Sequence, residues 1–234
     1  MTPPAVLYKY CSPERIDVLE CTRIRFTPSP KLNDAFEMTP IVTFDAETNV
    51  AVQDRLAAVN RMPRLRPQPL SQPEEENIVA STLESCLCLC LTDVWDSALM
   101  WSYYADGHKG FVIGFDTTNS DLFPEPPVRV SYSKVRSQVG FYKSFHDAVY
   151  TKADYWKHER EWRAIRTIEF AAKLHLERFT TKAVTEVIFG NRMSAKCRNR
   201  VLRCIHDVPY SHVRLYDLKP HPAEWSLQRD RVID

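Results

Sequence analysis

Residues 156–168 read WKHEREWRAIRTI and place two acidic side chains two residues apart. In an extended strand, residues i and i+2 stand on the same face, so the carboxylates of Glu159 and Glu161 are predicted to lie side by side. Trp162 and Ala164 then face the other way, where they pack. Two acids in an apolar, aromatic stretch are candidates for chemistry. The alternative is an edge strand with a charged, solvated face.

Other stretches around this one alternate apolar and polar residues or are continuously apolar, as strands do. Further strands are predicted over residues 6–10, 22–27, 84–91, 110–116, 128–132, 184–190 and 213–218. Helices are predicted over residues 49–62, 97–105, 137–154, 170–179 and 194–205. Because strands and helices do not alternate regularly, the sequence predicts an α+β fold with a mostly antiparallel sheet core and flanking helices.

The length of 234 residues fits one domain, so we predict a single domain over residues 1–234. Within it, residues 53–79 include a proline-rich run and are predicted to form a surface loop or a lid. The beginning of the chain, MTPPAVLYKY, lacks the basic and apolar segments of a secretory signal. No stretch reaches the roughly 18 apolar residues of a membrane span, so we expect a cytoplasmic protein without membrane contact.

Charge and composition exclude several classes of function. The 31 basic and 30 acidic residues nearly cancel, leaving a formal net charge of +1, so no global field favours nucleic acid or a membrane surface. The chain has five glycines, and they form neither a Walker loop nor a GxGxxG fingerprint. The seven cysteines include no CxxC pair, and we interpret them as buried thiols in a reducing compartment. No metal site is expected.

The remaining candidates for chemistry are the carboxylates of Glu159 and Glu161, the ammonium group of Lys9 and an aromatic and hydroxyl cluster on the helix predicted over residues 97–105. The cluster comprises Trp101, Ser102, Tyr103 and Tyr104. Aromatic faces suit the binding of a ring, although such a stripe on a short helix is more often core. Two consecutive tyrosines cannot both face inward, which leaves one of them to meet a ligand.

Five blocks of sequence, taken in order, resemble a mostly bacterial family catalogued as domain of unknown function two-nine-seven-one. The resemblance covers about residues 7–190, and residues 45–77 are its least typical part. Ala35 stands where the family usually has proline. The blocks are LYKY at 7–10, RIRFTPSPKLNDAFE at 23–37, LMWSYYADGHKGFVIGFD at 99–116, WKHEREWRAI at 156–165 and VIFG at 187–190.

That family is itself similar to the ADP-ribosyltransferase fold, which implies a split sheet and NAD as a substrate. In the transferases, the first strand offers a His or Arg to the nicotinamide ribose. Here the matching strand offers Tyr8, Lys9 and Tyr10, which is a departure from the pattern. The resemblance assigns the nicotinamide ring to Trp101, Ser102 and Tyr103. It assigns the pyrophosphate to Lys9 or Arg163, with a simple ion pair between Arg163 and one of the glutamates as the alternative.

The last motif of the transferases is a glutamate late in the chain, often the second acid of Glu-x-Glu. By resemblance, Glu161 takes the catalytic position and Glu159 orients or deprotonates the acceptor. Cleavage of the nicotinamide–ribose bond builds positive charge on the sugar, and a fixed carboxylate stabilises that charge without a metal. The acceptor is a protein, a nucleic acid or a small molecule.

The expected function is that of an NAD-dependent ADP-ribosyltransferase-like enzyme. The setting implied by the resemblance is a toxin or an anti-phage defence effector. Such a protein works in the bacterial cytoplasm or is delivered into a target cell, and an antitoxin or immunity protein is a possible partner. Two alternatives stay open: a sensor that binds a nucleotide or nucleic acid without catalysis, and a metal-dependent nuclease.

Overall fold

The structure is a computed structural model that describes residues 2–44, 70–140, 145–167, 175–207 and 210–232. The chain groups into two compact units. The first unit comprises Met1–Thr27, Leu87–Val130 and Tyr155–Asp234, and the second comprises Pro28–Cys86 and Ser131–Asp154. A single domain over residues 1–234 stays a prediction, and the chain crosses between the two units four times.

The described strands are short to medium in length. In chain order they are β1 (Val6–Cys11), β2 (Arg23–Arg25), β3 (Thr27–Pro28), β4 (Ile41–Val42), β5 (Cys86–Thr92), β6 (Phe111–Asp116), β7 (Val128–Arg129), β8 (Ser131–Ser133), β9 (Gln138–Val139), β10 (Thr151–Ala153), β11 (Glu161–Thr167), β12 (Leu176–Arg178), β13 (Val184–Phe189), β14 (Arg214–Pro220) and β15 (Leu227–Arg231).

The described helices are α1 (Asp17–Cys21), α2 (Gln72–Glu84), α3 (Ala98–Tyr104), α4 (His146–Tyr150) and α5 (Ala195–Asp207). Four 3-10 turns accompany them at Pro13–Ile16, Ser29–Lys31, Asp154–Glu159 and Thr181–Ala183. The prediction of an α+β fold with a mostly antiparallel sheet and flanking helices is confirmed. Within the described residues, no helix is both long enough and apolar enough to cross a bilayer.

The sheet of the first unit runs in the order β15-β14-β13-β6-β1-β5-β11-β7. The ladders of β1 with β6, β6 with β13, β14 with β15 and β11 with β7 are antiparallel, and β13 with β14 is parallel. β1 and β6 are in register over six pairs, whereas the ladder recorded between β1 and β5 has one pair, Tyr8 with Thr92. We call this narrow connection between β1 and β5 the joint.

The two faces of this sheet carry separate apolar clusters because side chains alternate along each strand. Leu7 and Trp162 belong to the larger cluster, which also contains residues of α1 and α5. Tyr8 and Tyr10 belong to the smaller cluster, which contains residues of α3. Helices α1 and α5 therefore cover one face of the sheet, and α3 covers the other.

The second unit contains α2, α4 and two small parallel ladders, β4 with β9 and β8 with β10. Ser71 begins α2 with a capping box, in which its backbone N–H donates to the Glu74 carboxylate at 2.8 Å. The predicted loop over residues 53–79 is therefore wrong from Gln72 onward, because a capped helix forms there. Residues 53–69, and the helix predicted over residues 49–62, lie outside the described residues.

Two further helix predictions are wrong where the structure describes the chain. Residues 137–154 contain β9, α4 and β10 rather than one helix, and residues 176–178 form β12, which pairs with β2. In both segments, pairing with strands far away in the chain decides the structure, and local periodicity does not report such contacts. The last predicted strand ends at residue 218, and the strand β15 that follows it was not predicted.

Candidate active site

Glu159 and Glu161 do not share a strand face, and that prediction is wrong. Glu159 ends the 3-10 turn Asp154–Glu159, whereas Glu161 is the first residue of β11. Arg160 between them has a positive φ of 47°, which breaks the alternation of an extended strand. Both glutamates are nevertheless buried. Each accepts hydrogen bonds from a different side chain.

Glu161 forms a buried ion pair with Arg163, two residues further along β11. Arg163 Nε donates to Oε1 of Glu161 at 2.7 Å, and Nη2 donates to Oε2 at 3.1 Å. The side chains are 2 % and 0 % exposed, respectively. A guanidinium that meets a carboxylate through two parallel hydrogen bonds is held in a fixed orientation. Arg163 therefore orients Glu161 in this structure, and its guanidinium is not accessible to a pyrophosphate.

Glu159 has a different partner, the phenol of Tyr104 on α3. The Tyr104 hydroxyl donates a hydrogen bond to Glu159 Oε1. Tyr104 follows Tyr103, which is 63 % exposed, so consecutive tyrosines face in different directions as expected. The inward tyrosine is the one that contacts an acid, and it had not been assigned a role in cofactor binding.

We expect Tyr104→Phe to lower the free energy of unfolding by about 1–3 kcal/mol, since a buried carboxylate loses a donor. Urea denaturation followed by circular dichroism measures the change. The control is Tyr103→Phe, which removes the same atom from the exposed neighbour and should change stability by less than about 0.5 kcal/mol. Equal effects of the two changes would show that the bond to Glu159 contributes little.

Trp101 is a core residue in this structure. Its ring lies edge-on to Tyr10 at 5.3 Å between centroids and stacks on His108 at 6.0 Å, and Nε1 donates to the carbonyl of Trp95 at 2.7 Å. The ring is fully buried. Its proposed contact with nicotinamide therefore requires a rearrangement of α3.

Ser102 and Tyr103 follow Trp101 on α3 and are exposed. The Ser102 hydroxyl donates to the carbonyl of Ala98 at 2.9 Å. The Tyr103 ring lies 6.4 Å from the ring of His158. Of the three residues assigned to the nicotinamide ring, these two are accessible to a ligand.

The three residues of β1 that were assigned to the cofactor have different partners in the structure. Tyr10 donates its hydroxyl hydrogen to the carbonyl of Val94 at 3.0 Å. Burial, together with the charge of Glu186, raises the pKa of Tyr8 to about 12. Lys9 instead reaches across the joint, where Nζ donates to the carbonyl of Cys90 at 2.9 Å. The Lys9 side chain thus adds a hydrogen bond between β1 and β5, whose ladder has a single pair.

The thiol of Cys90 on β5 is affected by the charges of both Lys9 and Glu161. Its pKa is held well above the usual value by a hydrogen bond with Cys88, by burial and by the negative charge of Glu161. The positive charge of Lys9 acts in the opposite direction. The charges of Glu161, the predicted catalytic residue, and of Lys9, predicted to bind the cofactor, therefore both affect the pKa of the Cys90 thiol.

A second charged cluster was missed by the sequence analysis. Glu186 on β13 is 1 % exposed and accepts from Arg229, and its Oε2 lies 3.1 Å from Nη2 of Arg214. Gly114 leaves room for this side chain, because a Cβ there would lie 2.7 Å from Cγ of Glu186. A glutamate in the middle of the apolar strand VTEVIF is the signal that would have indicated a buried acid.

Aromatic rings complete this second cluster. The guanidinium of Arg229 lies 4.5 Å from the ring centroid of Trp95 and 4.3 Å from that of Tyr216. Cation–π contacts of this kind hold a guanidinium in place when it is partly removed from water. Arg229 is thus fixed between two rings and a buried carboxylate, close to Tyr8.

All seven cysteines lie within the described residues and are free thiols, but the prediction that they are buried is wrong for Cys21, which is exposed, and Cys90 and Cys197 are only partly buried. Burial raises the pKa of Cys11 to about 11, which makes it a poor nucleophile at neutral pH. Among the described residues, no group of three His, Cys, Asp or Glu side chains is arranged to hold a metal ion.

Comparison of the chain with protein-family models, with curated proteins and with solved structures found no match. The resemblance to family two-nine-seven-one and to the ADP-ribosyltransferase fold stays a prediction.

Proposed function

We propose that the protein is an NAD-dependent ADP-ribosyltransferase-like enzyme in which Glu161 is the catalytic carboxylate. The observation that supports the proposal is the position of Glu161, which is buried at the start of β11 and oriented by two hydrogen bonds from Arg163. A buried, oriented carboxylate is what stabilisation of a ribosyl cation requires.

In the proposed reaction, the bond between nicotinamide and C1 of the ribose breaks, and the electron pair leaves with nicotinamide. Positive charge develops on the sugar, and Glu161 stabilises it. The nucleophilic atom of the acceptor then bonds to C1, and its proton passes to Glu159 as general base. Because Glu161 is buried, the proposal requires that NAD enter by a local opening of the chain.

We expect Glu161→Gln to lower nicotinamide release from NAD at least about 100-fold, since amide for carboxylate removes the charge but keeps the shape. The assay combines purified protein, NAD and cell extract, with nicotinamide and modified acceptors measured together. Glu125→Gln, a change at an exposed glutamate, is the matched control. Unfolding curves of both variants show whether Glu161→Gln also alters stability.

Absence of nicotinamide release and of modified acceptor with the unaltered protein would contradict the proposal. Fractionation of the extract into protein, nucleic acid and small molecules would identify the acceptor class. Toxicity on expression that Glu161→Gln abolishes would support the setting of a toxin or defence effector with a neutralising partner.

A non-catalytic nucleotide sensor is the second candidate. It is favoured by the closed state of the site, in which Glu161 is held by Arg163 and Lys9 by a backbone carbonyl, and by the lack of His or Arg on β1. Calorimetry with NAD and with nucleotides distinguishes the two candidates, because a sensor binds without releasing nicotinamide. A metal-dependent nuclease instead requires cleavage that depends on magnesium and stops with a chelator.

A further inference from the structure

A groove in the second unit has no role in the function proposed above. Its volume is about 410 Å³, which is within the range of small-molecule sites. One wall is α2, and the other is formed by the segment from Glu37 to Val42 together with Ser29 and Pro30. All of these residues belong to the second unit.

The α2 wall follows the helical repeat. Glu76, Val79, Ala80, Leu83 and Glu84 line the groove, at the spacing that places residues on one face of a helix. Val79 and Leu83 are buried and form an apolar floor, whereas Glu76 and Glu84 are exposed at its two ends. A rise of 1.5 Å per residue puts the Cα atoms of the two glutamates about 12 Å apart.

The opposite wall is held in a defined conformation. Met38 is buried with a φ of 54°, which is uncommon for a residue with a side chain. Glu37 is also buried, and its Oε2 lies 3.7 Å from Nζ of Lys152. Ser29 ties this wall to α2, because its hydroxyl donates to the carbonyl of Leu83 at 2.8 Å. A wall fixed in this way is pre-organised for a ligand.

The ends of the groove carry negative charge. None of the described residues that line it is Lys, Arg or His. Glu84 is the last residue of α2, where the helix dipole is already negative, and the last turn of this fully described helix contains no basic residue. Glu76 accepts a hydrogen bond from the side-chain amide of Gln72 at 2.9 Å.

We propose that this groove binds a linear dication with an apolar spacer, a ligand of the polyamine class. One ammonium group pairs with Glu76 and the other with Glu84, and the methylene chain lies over Val79, Ala80 and Leu83. The charge complementarity and the apolar floor favour this ligand over an anion, a neutral lipid or a compact monocation. The proposal does not depend on the transferase activity.

Isothermal calorimetry at low salt with the full-length protein tests the proposal. The probes are diaminooctane, diaminobutane, octylamine and octanediol. We expect diaminooctane to bind best. Octylamine should bind about tenfold more weakly because it lacks the second charge, and diaminobutane about tenfold more weakly because its spacer covers too little of the apolar floor. Octanediol should not bind measurably. Equal binding of octylamine and diaminooctane, or no saturable binding of any diamine, would overturn the proposal.

Variants of the groove locate the binding. Glu76→Gln and Glu84→Gln should each weaken diaminooctane binding about fivefold, whereas the control Glu125→Gln, outside the groove, should not. Ala80→Phe keeps every charge and fills the groove, so it should abolish binding. Thermal unfolding checks that the variants are folded. Unchanged affinity in Ala80→Phe would place the diamine elsewhere on the surface and overturn the assignment.

Discussion

Arg163→Ala is expected to lower the free energy of unfolding by about 3–5 kcal/mol. The change leaves the carboxylate of Glu161 buried without the guanidinium that donates two hydrogen bonds to it. Desolvation of a charge is far more unfavourable than the small net gain from the pair itself, so loss of one partner dominates. Urea denaturation at neutral pH, with linear extrapolation, measures the effect.

Two further variants separate charge from packing. The double change Glu161→Gln with Arg163→Met removes both charges, and we expect it to recover much of the lost stability. Arg178→Ala, at an exposed arginine of β12, should change stability by less than about 0.5 kcal/mol. A loss below about 1 kcal/mol for Arg163→Ala would mean that water reaches Glu161, which would contradict the buried ion pair.

Gly190→Ala is expected to destabilise the protein by about 3 kcal/mol or more, because the backbone of residues 108–110 packs directly against this position. A Cβ on Gly190 would lie 2.2 Å from the carbonyl oxygen of His108 and 2.7 Å from that of Gly110. The backbone N–H of Gly190 donates to the Gly110 carbonyl at 2.9 Å, so the strands cannot separate without losing this bond. Thermal or urea unfolding measures the loss.

Gly107→Ala is the matched control for a steric origin. Gly107 has a positive φ of 60°, and a Cβ there meets no atom within 4 Å. Alanine at this position is strained only by its backbone conformation, which costs about 1 kcal/mol. If Gly107→Ala and Gly190→Ala are equally destabilising, contact with the His108 carbonyl is not the cause.

The main strands were predictable from local sequence. CLCLCL and FVIGF are apolar on both faces and form β5 and β6 at the centre of the sheet, and SALMWSYY begins a helix at a serine cap. In these segments, local periodicity and burial agree. β15 reads LQRDR and was missed, because an edge strand next to β14 needs no apolar face.

The candidate site was predictable in part. The burial of Glu161 follows from its place in an apolar strand, and its pairing with Arg163 was the alternative considered for that arginine. The position of Glu159 was not predictable, because the left-handed conformation of Arg160 depends on tertiary contacts rather than on side-chain preference. Trp101 is core because His108, beyond the helix, covers its ring. The burial of Glu186 was not predictable because its ion-pair partners, Arg214 and Arg229, are distant in sequence.

The uneven burial of the cysteines has a practical consequence for chemical labelling. Cys21, at the end of α1, is the exposed one of the seven. Burial, among other causes, raises the pKa of Cys11, Cys90 and Cys197, which lowers the fraction of reactive thiolate at those positions. A maleimide dye added to the native protein should therefore attach at Cys21 first, giving a fluorescent reporter without engineered cysteines.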